Sequence, residues 1–477
     1  MTSKGNAFGW AVVVGTAVLL AGRTAPAQTS WLFSPYEVKV WLALDRSWDA
    51  DGAWAGQIER TVRDCCRMAA GATWRLEWSE PTPDVAAQML RDPTGVSPTK
   101  IEQLLGPDRL ATLDKLILLA VKRLPEGVRV EACEWDVRTQ KFGPVIARTC
   151  LQSAAVPWTC GQAVLDAFRP LARIDDVTGS TAILRFRAAG LAIEEPEALL
   201  ARPEKGWVLS AVIRMNDRYG KPRPGGIRPV EWTLLVVRDW DGYKCRADVH
   251  TANRAYLGFR ASSRVDRFAL VERPIWPETQ LVLRSRDESE RPLAGYDIYA
   301  KDPATEQTEY LGQTDWRGQI TIKPHEGRVR VLYVRSGGML LARLPLLPGQ
   351  TPVAVGRLTD DAKRLQAEAL VRSLQAAVID LIAQRELFAA RIRFLIREKN
   401  LDEAQRVLDQ LRALPTVTDI RQRIDRGRQE TNTDNPKIQA IIDKMFVDIQ
   451  QFVVQRLDPR LIDRLAVELA QAQRSSK

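Results

Sequence analysis

A chain of 477 residues with a formal net charge of +10, 45% hydrophobic and 27% charged, is too long for one core and too apolar for whole-chain disorder. It reads as three or four domains of about 100–150 residues each. Arginine alternates with acid nearly throughout, and even the run Arg421, Arg423, Arg426, Arg428 is interrupted by Asp425, so the diffuse charge argues against nucleic acid as a partner.

Lys4 precedes an uncharged, mostly apolar run of 15 residues from Ala7 to Ala21, shorter than the roughly 20 that a spanning helix needs. Ala25-Pro26-Ala27 then offers small residues where a signal peptidase reads. Residues 1–27 are thus expected to be a cleaved signal peptide, the alternative being a retained N-terminal anchor. Cleavage removes Lys4 and Arg23, lowering the charge from +10 to +8, and leaves a periplasmic or secreted chain with no transmembrane segment. The six cysteines form no Cys-x-x-Cys pair, which excludes a thioredoxin-type motif or a zinc ribbon. They read as small buried apolar residues; if one bridge exists, Cys150 to Cys160 is the expected pair.

Residues 34–172 read as an α+β domain. Residues 36–44 alternate apolar and polar with period 2, and 53–70 carry apolar residues at helical spacing before Gly71. A short strand at 73–78 is followed by a proline-rich loop or poorly ordered insertion at 81–98 and a helix near 99–105. Strands are expected at 115–122, 128–137 and 143–150, with a turn at 138–142, and a helix at 158–168 closes the region. The strand, hairpin and helix of this last portion, with Asp136 and Gly143 as anchors, resemble the amino-terminal domain of TolB-type periplasmic proteins over residues 113–170. That resemblance implies a protein-contacting module with nothing catalytic.

Residues 175–278 carry short strand-like runs near 180–188, 207–214, 231–238, 243–249 and 268–272. Turns at 217–226 and 239–242 separate some of them, as in a small barrel or sandwich, between which the pattern does not choose. In residues 279–358, Pro292, Leu293 and Gly295 open a strand, and Gly312, Thr314, Asp315 and Gly318 mark a tight turn into the next. These seven residues resemble the carboxypeptidase-regulatory-like, transthyretin-like family, which implies a β-sandwich of spacer or adhesion type.

Residues 359–477 turn helical, with Leu374, Val378, Leu381, Phe388, Ile392 and Leu395 in one stripe. A second helix is expected at 403–413, ended by Pro415, and two more at 437–456 and 459–472. The phrase from Asn400 to Pro415 resembles the second helix of a tetratricopeptide-type hairpin; as a single unit it implies a helical hairpin or bundle rather than an array. The fold class expected is multidomain α+β: an α+β N-terminal domain, an all-β middle (barrel or sandwich, then a transthyretin- or immunoglobulin-like sandwich) and an α-helical C-terminal region. The module order resembles uncharacterised secreted bacterial multidomain proteins.

With His250 and His325 the only histidines, His-based catalysis and multi-histidine metal sites find no material. No nucleophile elbow or phosphate loop is present, and the Asp239–Gly242 segment lacks the acidic twelfth residue of a calcium loop. No catalytic, cofactor or metal residue is assigned. Glu134 and Asp136 share a strand face with the spacing of a carboxylate pair, but read as solvent-facing acids on a hairpin. Trp240 and Trp316, both in turns, are the expected exposed contact residues. The reading is an exported non-enzymatic binding or scaffolding protein of the bacterial envelope, its partner an envelope protein or a polysaccharide. The alternative is a carbohydrate-active enzyme or polysaccharide-binding adhesin with an accessory β-sandwich.

Overall fold

The computed structural model describes residues 31–475 apart from 46, 48–52, 195–199, 201, 253–256, 258–263, 287–289, 304, 327–328, 338 and 360. The signal peptide expected over residues 1–27 lies outside the described residues. The expected fold class is what forms: mixed sheet with helices, then a closed barrel, a two-sheet sandwich and a helical C-terminal region.

The first sheet is built on β1 (Tyr36–Leu44), whose parallel neighbours are β2 (Trp74–Ser79) and β3 (Lys115–Leu124). Antiparallel to β3 runs β4 (Gly127–Asp136), which also pairs β5 (Lys141–Phe142) and β6 (Ile146–Cys150). Alternation along β1 sends Val38, Val40 and Leu42 to one face and Trp41 and Ala43 to the other. The first face is covered by α1 (Ala53–Ala70) and α4 (Val156–Ala167), which together with the strands bury Ile58, Val62, Cys160 and Val164. The second is covered by α2 (Pro83–Arg91) and α3 (Pro98–Thr112).

The loop expected at 81–98 is therefore corrected: it contains α2 and a 3-10 turn at Pro93–Gly95. Its prolines sit where their missing N–H costs nothing, Pro83 in the first turn after Thr82, while Val85 and Met89 bury one turn apart on the sheet. Composition signalled a loop; the i, i+4 pair decided for a helix.

The region after Ala167 resolves as a barrel rather than a sandwich. Strands β7 (Leu171–Thr178), β8 (Thr181–Phe186), β9 (Val208–Asn216), β10 (Pro222–Trp240), β11 (Cys245–Thr251) and β12 (Val265–Val271) close in the order β10-β11-β8-β7-β12-β9, antiparallel throughout. Side chains such as Ala182, Leu184, Leu209, Ala211, Leu235 and Ala247 fill the interior, as a small barrel requires. A short helix, α5 (Ala189–Glu194), follows β8. Leu171, Phe268 and Leu270 face outward into the core shared with α1 and α4, so the barrel is docked on the first sheet's helical layer.

The sandwich packs a three-stranded sheet, β16 (Gln319–Ile322), β13 (Thr279–Ser285) and β19 (Val353–Leu358), on a four-stranded one. The latter runs in the order β15 (Thr308–Gln313), β14 (Asp297–Lys301), β17 (Arg330–Ser336), β18 (Met339–Leu346). Its junction to the helices is a buried charge pair: Arg364 lies 2.6 Å from Asp361 and donates to the Ser336 carbonyl at 2.8 Å.

The 36-residue α6 (Ala362–Arg397) is the spine of the C-terminal region. Its first half packs in a cluster with α8 (Val417–Glu430) and α9 (Pro436–Arg456), its second with α7 (Leu401–Arg412) and α10 (Leu461–Ser475). The sequence pattern had not separated α8, because its Arg run masks the apolar stripe of Ile420 and Ile424. A capping box settles its start: Asp419 N–H donates to Thr416 Oγ1 at 3.2 Å, and the Asp419 carboxylate accepts from Thr416 N–H at 2.8 Å.

Candidate functional site

Glu134 and Asp136 do share a face of β4, as period 2 requires, but they are fully buried rather than solvent-facing. Register puts Lys115 opposite Asp136, and the Lys115 ammonium lies 2.8 Å from Asp136 Oδ2 and 3.1 Å from Glu134 Oε1. Lys115 Nζ also donates to the Arg169 carbonyl at 2.5 Å and lies 5.3 Å from the centre of the Phe168 ring. Asp136 Oδ1 accepts from both the N–H and the hydroxyl of Thr139, each at 2.7 Å, fixing the turn after β4.

Arg169 extends the cluster into the barrel. Its backbone N–H donates to Glu134 Oε2 at 2.6 Å, its Nε to Glu134 Oε1 at 3.1 Å, and its Nη1 to Glu272 Oε2 at 3.3 Å. Glu272, just after β12, also accepts from Lys141 Nζ at 3.1 Å and Ser210 Oγ at 2.5 Å. Lys115, Arg169 and Lys141 thereby face Glu134, Asp136 and Glu272, a charge-balanced set between the first sheet and the barrel. A second joint centres on the buried Asp114, which pairs with Arg138 at 3.2 Å and Arg187 at 2.8 Å. Gly143 leaves the space the guanidinium needs, since a Cβ there would lie 3.1 Å from Arg169 Nε. Asp136 and Gly143, singled out in the sequence for the TolB-type pattern, both lie in this interdomain joint.

Burial by itself raises the pKa of Asp136 and of Glu272, but Lys115 beside the first, and Lys141 and Arg169 beside the second, hold both below the usual carboxylate range. The native protein therefore binds fewer protons than the unfolded chain as acid is added. Their contribution is complete above about pH 5 and is lost as pH falls below the unfolded values, near 4, through the lower native ones. Urea titrations between pH 3 and pH 7 should show stability falling on the acid side, with a shallower fall in Glu272→Gln; equal slopes in the two proteins would contradict this joint.

Sealed and internally neutralised, these carboxylates cannot reach a substrate, so Glu134 and Asp136 do not form a hydrolytic pair. Glu131, further along β4, is occupied by Lys122 at 2.6 Å and Arg129 at 2.7 Å. Among the described residues no group of three or more His, Cys, Asp or Glu could hold a metal ion, and no helix is long and apolar enough to cross a membrane. All six cysteines are buried free thiols; Cys150 and Cys160 are unbridged, and Cys150 Sγ lies 3.1 Å from Thr159 Oγ1.

Trp316 is 73% exposed in the turn between β15 and β16, with the Arg317 guanidinium 4.5 Å from its ring centre. Trp240 is placed differently from its expected turn: it ends β10 and lies half-buried against the barrel core under Arg202. The two tryptophans sit on separate modules, Trp240 on the barrel and Trp316 on the sandwich. More apolar surface is exposed on α6, where Ile379, Leu387 and Phe394 are 50%, 68% and 54% exposed. At 100° per residue these three fall within one face, opposite the stripe of Leu374, Val378, Leu381 and Ile392 that fills the two clusters.

No protein-family model matches the chain, and no curated protein does. Among solved structures, TolB from Acinetobacter baumannii matches over 66% of this chain and 83% of that one, at 8% identity and a TM-score of 0.18. At that score the likeness carries no argument about this chain.

Proposed function

We propose that the chain is an exported, non-enzymatic binding or scaffolding protein of the bacterial cell envelope, periplasmic or secreted, with a carboxypeptidase-regulatory-like sandwich as its rigid spacer. The observation that carries this reading is α6. Its buried face is divided between two helical clusters, while the opposite face shows Ile379, Leu387 and Phe394 to solvent. Apolar side chains concentrated on one helix face are more than the scattered exposure of an ordinary surface. The charged joints support the same reading, because they hold the barrel on the first sheet and the sandwich on the start of α6.

Two measurements test it. Native protein recovered from its source should begin near Gln28 and fractionate with the periplasm or medium; an intact chain from Met1 in the cytosol would sink the export reading. In-cell crosslinking should give a specific adduct that Leu387→Glu with Phe394→Glu abolishes, without loss of fold, because both side chains are already exposed. Identical adducts in the doubly substituted chain would remove the helical region from the proposal.

A further inference from the structure

The outer face of the four-stranded sheet carries a row of four side chains. Tyr310, Tyr299, Tyr333 and Arg343 are register partners on β15, β14, β17 and β18. Backbone pairing alone therefore aligns them across the strands, over about 14 Å at the usual strand spacing. Ile298, Ala300, Leu332, Val334 and Leu344 take the opposite, inward face and fill the sandwich core.

The rings of Tyr299 and Tyr310 are 5.0 Å apart, Arg335 lies 5.0 Å from the Tyr299 ring centre, and Arg343 lies 5.3 Å from that of Tyr333. Cross-strand pairs of this kind ordinarily do no more than stabilise a sheet, and a row ending in solvent would need no other account. This one ends in a cavity.

At the Arg343 end, β18 lies against β10 and β11 of the barrel. Between the two modules is a cleft of about 320 Å³, lined by Tyr333 and Arg343 from the sandwich and by Ser180, His250 and Thr251 from the barrel. That is the size of a small-ligand site. Among the described residues, Arg343 has the Tyr333 ring as its contact and no carboxylate partner, and the His250 side chain has Asp248 as a charge neighbour but no side-chain hydrogen bond. Burial keeps the imidazole below its ordinary pKa, with Asp248 opposing, so near neutral pH it is an uncharged donor and acceptor. The positive charge of the cleft belongs to Arg343.

We propose that this row and cleft bind an acidic oligosaccharide, its sugar rings lying on the tyrosines and one anionic substituent entering the cleft to meet Arg343 and His250. A tyrosine offers a flat apolar face to the C–H side of a pyranose and a hydroxyl to its rim. An arginine held by a ring presents its N–H fork to a carboxylate or sulfate oxygen pair. A single-stranded nucleic acid fits less well, because it needs cations tracking every phosphate. Beside the row this face offers Arg335, Arg343 and Lys301, the last lying 3.5 Å from Glu306, and it carries Asp297, which accepts from the Tyr310 hydroxyl at 3.2 Å. The inference goes further than the scaffolding reading and does not depend on it.

Calorimetric titration of the full chain with oligogalacturonate, dextran sulfate, neutral dextran and oligothymidylate tests it. Saturable binding of galacturonate would identify a carboxylate as the anion, and of dextran sulfate a sulfate; either supports the site. Tyr299→Ala and Arg343→Ala should each weaken that binding at least about tenfold, the loss of one stacked or charge-assisted contact. Tyr219→Ala, on the barrel and 71% exposed, should leave it unchanged. Thermal melts of the variants separate lost contact from lost fold. Failure of both acidic saccharides to bind, equal binding of neutral dextran, binding of oligothymidylate alone, or indifference to Tyr299→Ala and Arg343→Ala would each overturn the proposal.

Discussion

Replacing Arg169 with methionine is expected to destabilise the protein by about 3–5 kcal/mol, the usual cost of leaving a buried charge without its partner. Arg169 is 1% exposed, and its side chain holds Glu134, Glu272 and the Lys141 carbonyl at once. Methionine fills comparable volume but donates nothing, so three acids, Glu134, Asp136 and Glu272, remain with two cations, Lys115 and Lys141. The size of the effect should depend on charge balance rather than on shape. Adding Glu272→Gln to Arg169→Met removes the excess negative charge and should restore about 1–2 kcal/mol. Urea unfolding followed by tryptophan fluorescence reads the difference, with the transition for the first sheet and barrel shifting to lower denaturant. A loss below about 1 kcal/mol, or a double variant no better than the single, would show that the cluster is not an energetic joint.

That joint was only partly legible in the sequence. Period 2 along β4 put Glu134 and Asp136 on one face, and the register of a hairpin fixed which strand opposed them. What pattern could not supply was the partner. Lys115 sits 19 residues from Glu134, but Arg169 and Glu272 are 35 and 138 residues away from it, the latter on another module. Acids on a hairpin default to solvent unless a cation of that kind is brought over them. The local signal that could have helped was the uninterrupted burial on both sides of Glu134: Cys133 and Trp135 flank it with no polar face left for water. The choice between barrel and sandwich stayed open for a similar reason, since closure depends on which strand β12 meets and not on the strands themselves. The apolar row on α6 was hidden because a helix face is judged core or surface only once its clusters are placed. Turn chemistry, by contrast, is local, and the sandwich's turn residues were read where they act.

Those turn residues make the second large effect testable at a single atom. Gly318→Ala should destabilise the sandwich by about 3 kcal/mol or more, whereas Gly295→Ala, in the same set of turn residues, should cost only about 1 kcal/mol. Both glycines sit at positive φ, +72° and +74°, so each substitution carries the left-handed strain that a side chain brings. They differ in what a Cβ would meet. At Gly295 nothing lies within 4 Å, while at Gly318 the new carbon would lie 2.5 Å from the Leu283 carbonyl oxygen and 2.9 Å from the Leu293 nitrogen. Those are main-chain atoms, and neither can swing aside as a side chain end would. Leu283 N–H donates to the Gly318 carbonyl at 2.7 Å, so relieving the contact breaks the bond that ties the turn to β13. Thr314 closes the other side, donating to the Leu293 carbonyl at 2.6 Å and accepting from Tyr296 N–H at 3.0 Å, which leaves the segment no slack. Thermal unfolding monitored by far-ultraviolet circular dichroism compares the two variants directly. If both melt within a degree or so of each other, the close approach of Gly318 to β13 is not what holds the turn, and strain alone sets the cost.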